Sequence, residues 1–243
     1  MASIVLIHGA FHGGWCWDHL VPHLEAKGHT VAAPDMPSNG SDPMPPEEVG
    51  LNDYMSRVGE VLSGFDERVL LVGHSLGGAT ITQAGENFSE QIAGLVYVTA
   101  AIPANGQCRA DLTEGNENSL LGQYRQTSED GKTFTVDDEG IAPCFYNDCS
   151  EEMIAWAKRK LVPQAVSIFT TPVATTDSRW GSLRRAYVFC SEDNAIRPGS
   201  QRAMMRHHPC DPVIDMATSH SPFMSQPEAL AGHLDAIARH WNV

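Results

Sequence analysis

The feature that most narrows the folding options of this chain is a rhythm. Short, almost continuously apolar runs alternate with longer segments of helical period. Ser3–Ile7, His29–Ala33, Arg68–Val72, Ile92–Val98, Arg185–Cys190 and Pro212–Met216 read as strands. Runs that lack polar alternation belong where both sheet faces are covered, as in a parallel sheet between helices. Between them, Trp17, Leu20, Val21 and Leu24 recur at helical spacing, as do Leu51, Tyr54, Met55, Val58, Val61 and Leu62. Near the C-terminus Leu230, Leu234, Ile237, Ala238 and Trp241 form a third apolar stripe, opened by Pro227 in a first-turn position. Strand–helix alternation with right-handed crossovers predicts an α/β fold: a doubly wound, mostly parallel sheet of about six strands.

One region breaks the rhythm. From Pro103 to Trp180 no sheet strand is expected; polar, glycine-containing stretches (Asn105–Asn118 and Thr127–Gly140) surround a helical segment at Ser150–Leu161. Roughly seventy residues without a sheet strand are too many for an ordinary loop. They read as a cap (103–180) inserted into a core formed by 1–102 and 181–243, lying over the C-terminal edge of the sheet, where open α/β folds bind ligands. Most of its aromatic and aliphatic residues should pack the cap onto the body. Tyr124, Phe145 and Trp156 are assigned to the wall of a pocket.

Composition removes several function classes. Hydrophobic residues make up 42% of the 243 and charged ones 19%, enough for a sizeable core and incompatible with a wholly disordered chain. The formal charge of −14 repels phosphate backbones and anionic lipid, which argues against nucleic-acid and membrane-surface partners. No apolar run approaches the roughly 18 residues of a membrane span. Met1-Ala2-Ser3 leads straight into Ile4 without a basic leader, so a cytoplasmic location is expected. The six cysteines show no C-x-x-C spacing. Cys144 and Cys149 are close enough in sequence to pair, but in a reducing compartment free thiols are the expectation. His207-His208-Pro209-Cys210 lacks a second ligand pair at a metal-binding spacing, so no metal is expected.

The chemistry is carried by Arg68-Val-Leu-Leu-Val-Gly73-His74-Ser75-Leu76-Gly77-Gly78, followed by a helix-compatible stretch to Glu86. This is G-x-S-x-G between an apolar strand and a helix. A nucleophile lifted out at a strand-to-helix turn needs strained backbone and neighbours without bulky side chains. The helix N-terminus then directs free N–H groups at an oxyanion forming beside Ser75. A nucleotide-binding glycine turn is the rival reading, but G-x-G-x-x-G is absent and no acidic residue ends a following strand about 20 residues on.

A serine hydroxyl needs a base. Of eleven histidines, His220 lies just after the last strand in Ser219-His220-Ser221-Pro222, a loop on the C-terminal side of the sheet. The base needs an acid in turn. Asp193 stands just past the strand Tyr187–Cys190, with Glu192 as its neighbouring competitor. The chain order Ser75, Asp193, His220 is that of α/β hydrolases. Directly after the first strand, His8-Gly9-Ala10-Phe11-His12-Gly13-Gly14 can bring a backbone N–H to an oxyanion. Ala10 is the candidate first donor and Leu76 the second. Gly9, Phe11 and His74 are assigned to substrate contact.

Together His8–Trp17, the Gly73–Gly78 elbow, Asp193 and His220 resemble the α/β-hydrolase superfamily. More narrowly they are similar to the plant methyl esterase and hydroxynitrile lyase family and its bacterial relatives, the pyrethroid-type carboxylesterases. The resemblance spans most of the body and is weakest in the cap. It implies a short-sheet version of the fold, since the oxyanion strand begins at residue 3. Hydroxynitrile lyases of this group carry a threonine after the first histidine of the oxyanion loop and a lysine after the catalytic histidine; here those positions are Gly9 and Ser221. Both departures point to ester hydrolysis. The expectation is a cofactor-free serine carboxylesterase acting on a small to medium hydrophobic ester, either as a monomer or with a second copy as its partner. Cyanide-releasing carbon–carbon lysis and low-turnover ligand reception are the alternatives.

Overall fold

The computed structural model describes residues 1–243. Its principal sheet contains β1 (Ser3–Ile7), β2 (Thr30–Ala32), β3 (Val69–His74), β4 (Ile92–Val98), β8 (Arg185–Cys190) and β9 (Val213–Met216). Their order is β2-β1-β3-β4-β8-β9 and every pairing is parallel. The chain steps outward from β1 to β2, then returns across β1 to build β3 and the rest on the other side. The reversal lies between β1 and β3, and there the C-terminal ends of open α/β sheets leave a crevice.

The six expected strands are all present, with ends moved by one or two residues. The larger shift is at β3, which continues through Gly73 to His74 because its ladder with β4 runs out to Val98. Every residue of β3 is buried, as fits an apolar run covered on both faces. The helices of the body are α1 (Val21–Glu25), α2 (Leu51–Leu62), α3 (Gly77–Asn87), α8 (Pro198–His207), α9 (Pro222–Ser225) and α10 (Pro227–Trp241). α1 packs on α10 and α2 on α3. The first apolar stripe forms no continuous helix: a 3-10 turn at Gly14–Trp17 is followed by α1. Pro22 accounts for the break, since its ring and missing N–H are tolerated only in a first turn.

The segment between β4 and β8 adds no strand to the main sheet. It is more regular than its sequence suggests. α4 (Leu120–Tyr124) leads into β5 (Arg125–Thr127), which pairs antiparallel with β6 (Thr133–Val136); α5 (Asp138–Phe145) and α6 (Glu151–Lys158) follow, then β7 (Gln164–Ala165) on β6, and α7 (Val166–Thr170). The stretch Thr127–Gly140, expected to be irregular, therefore holds most of a hairpin and a helix start. β5 is wholly exposed and carries no apolar pattern, and β6 alternates as Thr-Phe-Thr-Val but over only four residues, burying Phe134 alone. α6 begins where expected, with the Ser150 hydroxyl accepting from the Met153 N–H at 3.3 Å. Trp180, placed at the end of the cap by sequence, packs into the body instead: its indole N–H donates to Tyr97 Oη at 3.1 Å.

Two glycines allow β1, β3 and α3 to meet at the crevice. A Cβ on Gly77 would stand 2.6 Å from the His8 carbonyl oxygen and 2.7 Å from that of Ile7, and one on Gly73 would stand 2.7 Å from the Gly77 carbonyl oxygen. All of these neighbours are backbone and have no rotamer with which to yield. Gly77→Ala should therefore destabilise the fold by about 1–3 kcal/mol, the usual range for overpacking, measured as a lowered urea midpoint at unchanged slope.

Candidate active site

The turn from β3 into α3 places Ser75 at φ +53°, a left-handed conformation that side-chain-bearing residues rarely adopt. It is held there by two backbone hydrogen bonds to the β4 end: the Ser75 N–H donates to the Val98 carbonyl at 3.4 Å, and the Ala101 N–H to the Ser75 carbonyl at 2.9 Å. Strained backbone of this kind costs about 1–3 kcal/mol and persists where the surroundings over-determine it. The Ser75 hydroxyl has no hydrogen-bond partner in the protein.

His220 is brought in from the loop between β9 and α9. Its Nδ1–H donates to Asp193 Oδ2 at 2.6 Å, and both side chains are buried. Asp193, in the turn after β8, also accepts at Oδ1 from the backbone N–H groups of Ala195 (2.7 Å) and Ile196 (2.9 Å). The competitor Glu192 is exposed and makes no contact with the imidazole. With Nδ1 donating, Nε2 of His220 is the lone-pair nitrogen, and no protein group occupies it. No hydrogen bond links it to Ser75; the two strands are joined instead through the neighbouring residue. The His74 Nε2–H donates to the His220 carbonyl at 2.8 Å, and the two rings lie 4.5 Å apart.

The loop after β1 completes the constellation. The backbone N–H groups of Ala10 and Leu76 donate to no protein acceptor, unlike that of Phe11, which donates to Gln164 Oε1 at 3.2 Å. Two side chains orient the loop. The His12 Nδ1–H donates to the Ala10 carbonyl at 2.7 Å, leaving Nε2 to accept from the Tyr146 hydroxyl at 2.6 Å. The His8 Nδ1–H donates to the Gly9 carbonyl at 2.8 Å, and its Nε2 accepts from the Met36 N–H at 3.0 Å. Gly9 is sterically enforced, since a Cβ there would lie 2.8 Å from both Ser75 Cβ and His74 Nδ1.

The remaining residues assigned to substrate contact separate into two groups. Phe145 of α5 faces the imidazole of His220 at 5.8 Å between centroids and Phe11 at 6.1 Å. His74 is buried beneath the loop against Phe223 and Trp17, a brace for His220 rather than an exposed wall. Tyr124 packs on Gly140 within the cap, and Trp156 stands edge-on to Trp15 at 5.2 Å under the Lys160 ammonium. Neither makes a ring contact or hydrogen bond with Ser75, Asp193 or His220. Tyr124 thus packs inside the inserted segment, whereas Trp156 joins it to the body through Trp15 and, at 5.5 Å, His19. Sequence reasoning passed over Tyr146, Gln164, Asp148 and Thr99. Asp148 accepts the Ser219 N–H at 2.9 Å and so ties the cap to the histidine loop. None of these residues stands in a motif; they become visible only as partners.

With this geometry described, comparison places the molecule. A family model described as alpha/beta hydrolase matches residues 4–233. The chain belongs to the alpha/beta hydrolase family. It is 32% identical to methylesterase 2 of Arabidopsis thaliana over 96% of this chain and 95% of that protein, and 32% identical to salicylic acid-binding protein 2 of Nicotiana tabacum over 98% and 97%. Among solved structures, a pyrethroid hydrolase from Sphingobium faniae superposes with a TM-score of 0.88 at 29% identity, covering 98% of this chain and 97% of that one. Methylketone synthase I of tomato superposes at 0.89 with 27% identity, covering 99% and 98%. These relatives put the chain in the esterase branch of the family, as an ester-hydrolysing enzyme.

Burial depresses the basicity of the loop histidines. Loss of solvation lowers His8 to about 4 and His12 to about 3, against partial compensation from the carbonyls each donates to. Both are neutral in the folded protein and titrate near 6.5 once unfolded. Above 6.5 neither state takes up these protons, and the native state loses nothing. Between 6.5 and about 4 the unfolded chain binds protons the native one excludes, so stability must fall as pH falls. The expected loss is about 1.4 kcal/mol per pH unit for each histidine in that window, read from urea midpoints between pH 7 and 4.5. His12→Phe should flatten the slope.

Proposed function

We propose that this esterase is a serine hydrolase in which Ser75, His220 and Asp193 form the catalytic triad and the N–H groups of Ala10 and Leu76 the oxyanion hole. The observation that carries the reading is the Asp193–His220 hydrogen bond at 2.6 Å, which directs an unoccupied imidazole nitrogen away from the acid and toward the substrate side. The strained serine and the two undonated N–H groups fill the other roles. Ser75 Oγ attacks the ester carbonyl as His220 Nε2 takes its proton; Asp193 holds the imidazole in the required tautomer and stabilises the imidazolium. The tetrahedral oxyanion forms toward Ala10 and Leu76. His220 then protonates the departing alkoxide, giving alcohol and an acyl-Ser75 ester. Water, deprotonated by the same histidine, releases the acid and restores the serine. Ser75 and His220 close to hydrogen-bond distance when substrate orders them, as is usual for pairs that are loose without ligand.

Phe145 beside His220, with Phe11 next to Phe145, supports a hydrophobic ester of small to medium size. The same residues bear on the lyase alternative. Gly9 admits no side chain in this backbone, and Ser221 supplies no cation to stabilise cyanide. No helix is long and apolar enough to cross a membrane.

The test is hydrolysis of a panel of p-nitrophenyl, methyl and aryl esters. Ser75→Ala should lower kcat about 1,000-fold or more while the folded state persists, and the wild type should show a burst of p-nitrophenol equal to the enzyme concentration. Turnover by Ser75→Ala near the wild-type rate sinks the assignment. Activity should fall on acidification, because the base must be neutral to take the serine proton. Cyanide release from mandelonitrile without ester cleavage would transfer the site to the lyase chemistry.

A further inference from the structure

We propose that Thr99 is a positioning residue of the catalytic base: its hydroxyl shares the Asp193 oxygen that holds His220, fixing where that carboxylate points and limiting how strongly it draws the imidazole proton. The inference rests on the triad reading above. Thr99 lies just past β4, fully buried, and its Oγ1–H donates to Asp193 Oδ2, the atom that also receives the His220 Nδ1–H. An ionised carboxylate only accepts, so the direction of both bonds is determined. Asp193 therefore has four donors, two on each oxygen: Ala195 and Ile196 on Oδ1, Thr99 and His220 on Oδ2.

The backbone gives a second, independent observation. Thr99 has φ +38°, and a β-branched residue at positive φ is a clear outlier. Nothing in a strand-to-loop exit requires a threonine there, and glycine or asparagine would adopt the conformation more easily. The strained turn is pinned on both sides. The Thr99 N–H donates to Val188 of β8 at 2.9 Å, and two residues on Ala101 donates to the Ser75 carbonyl at 2.9 Å. One short segment thus touches the backbone of the nucleophile and the side chain of the acid. A threonine kept under strain with its hydroxyl on the triad acid is the pattern of a residue held for orientation.

The pH profile can report on this contact because the groups around the pair do not titrate between pH 5 and 8. Burial lowers His12 to about 3 and His74 well below the ordinary histidine value, while it raises the Cys144, Cys190 and Tyr187 side chains above the window. The Arg109 guanidinium, whose charge acts on Asp193 and which donates to the Leu112 carbonyl, remains charged throughout. Removing the Thr99 hydroxyl leaves Oδ2 with one donor, so its charge acts more strongly on His220 and favours the imidazolium. The neutral base then forms only at higher pH, and the acid limb must move up.

The experiment measures kcat, KM and the pH profile of kcat/KM with p-nitrophenyl acetate for wild type, Thr99→Val, Thr99→Ala, Thr99→Ser and Asp193→Asn, with thermal melting to verify folding. Val and Ala, which lack the hydroxyl, should lower kcat about tenfold with KM nearly unchanged and move the acid limb up by about half a pH unit. Ser, which keeps the hydroxyl, should restore both. Equal rates and equal limbs for Ser and Ala overturn the proposal, and that pair decides the matter if the Val variant does not fold. A lower rate with an unmoved limb also overturns it, since that marks a merely structural role. In each of those cases a strongly impaired Asp193→Asn leaves the triad standing. Full activity in Asp193→Asn means instead that the triad reading itself has failed.

Discussion

The site depends on three pieces of backbone approaching more closely than side chains allow. The end of β1, the elbow after β3 and the first turn of α3 meet at Gly9, Gly73 and Gly77, where any Cβ would stand under 3 Å from its neighbours. This contact forces Ser75 into the left-handed region and sets its hydroxyl beside the loop that carries Ala10. It also leaves the N–H groups of Ala10 and Leu76 without acceptors of their own. Unpaired donors at a helix start and a strained serine are each unfavourable alone. They are tolerated together because the surrounding sheet, fully buried along β3, supplies the stability.

Around that contact the protein places neutral imidazoles as structural hydrogen-bonding units. His8, His12 and His74 are all buried, and each ring donates to a backbone carbonyl of the loop after β1 or of the His220 loop. Desolvation keeps them uncharged, so they orient the oxyanion loop and the His220 loop without adding a field that would compete with Asp193. The cap takes part in the same scaffolding. Tyr146 donates to His12, Gln164 accepts from Phe11, and Asp148 holds Ser219. The inserted segment is thus joined by hydrogen bonds to both the loop after β1 and the His220 loop.

Much of this was legible in the chain. A nucleophile elbow is local: strand, turn and helix lie within about twenty residues of one another, and the glycine spacing states the geometry directly. Strand ends after β8 and β9 supplied Asp193 and His220 because parallel strands deliver their C-terminal loops to one edge. The cap was less readable. Its hairpin from Arg125 to Val136 has one polar, exposed strand, and the alternation of the other, Thr133–Val136, is only four residues long, too short to mark it among polar neighbours. Tyr124 and Trp156 were assigned by residue type alone, and the structure adds their neighbours: Gly140 for the one, Trp15 and Lys160 for the other.

The amino-acid sequence by itself determined the doubly wound sheet and picked out Ser75, Asp193 and His220 as candidates in that order, because periodicity and glycine placement act over short distances along the chain. Only the tertiary structure showed the contacts themselves: that Asp193, already preferred to Glu192 in the sequence, meets His220, that Thr99 shares the same carboxylate oxygen, and that Gln164 reaches Phe11. Those contacts join residues 27, 94 and 153 positions apart, and a hydrogen bond across such separations depends on side-chain direction at the end of the packing, which no local pattern encodes.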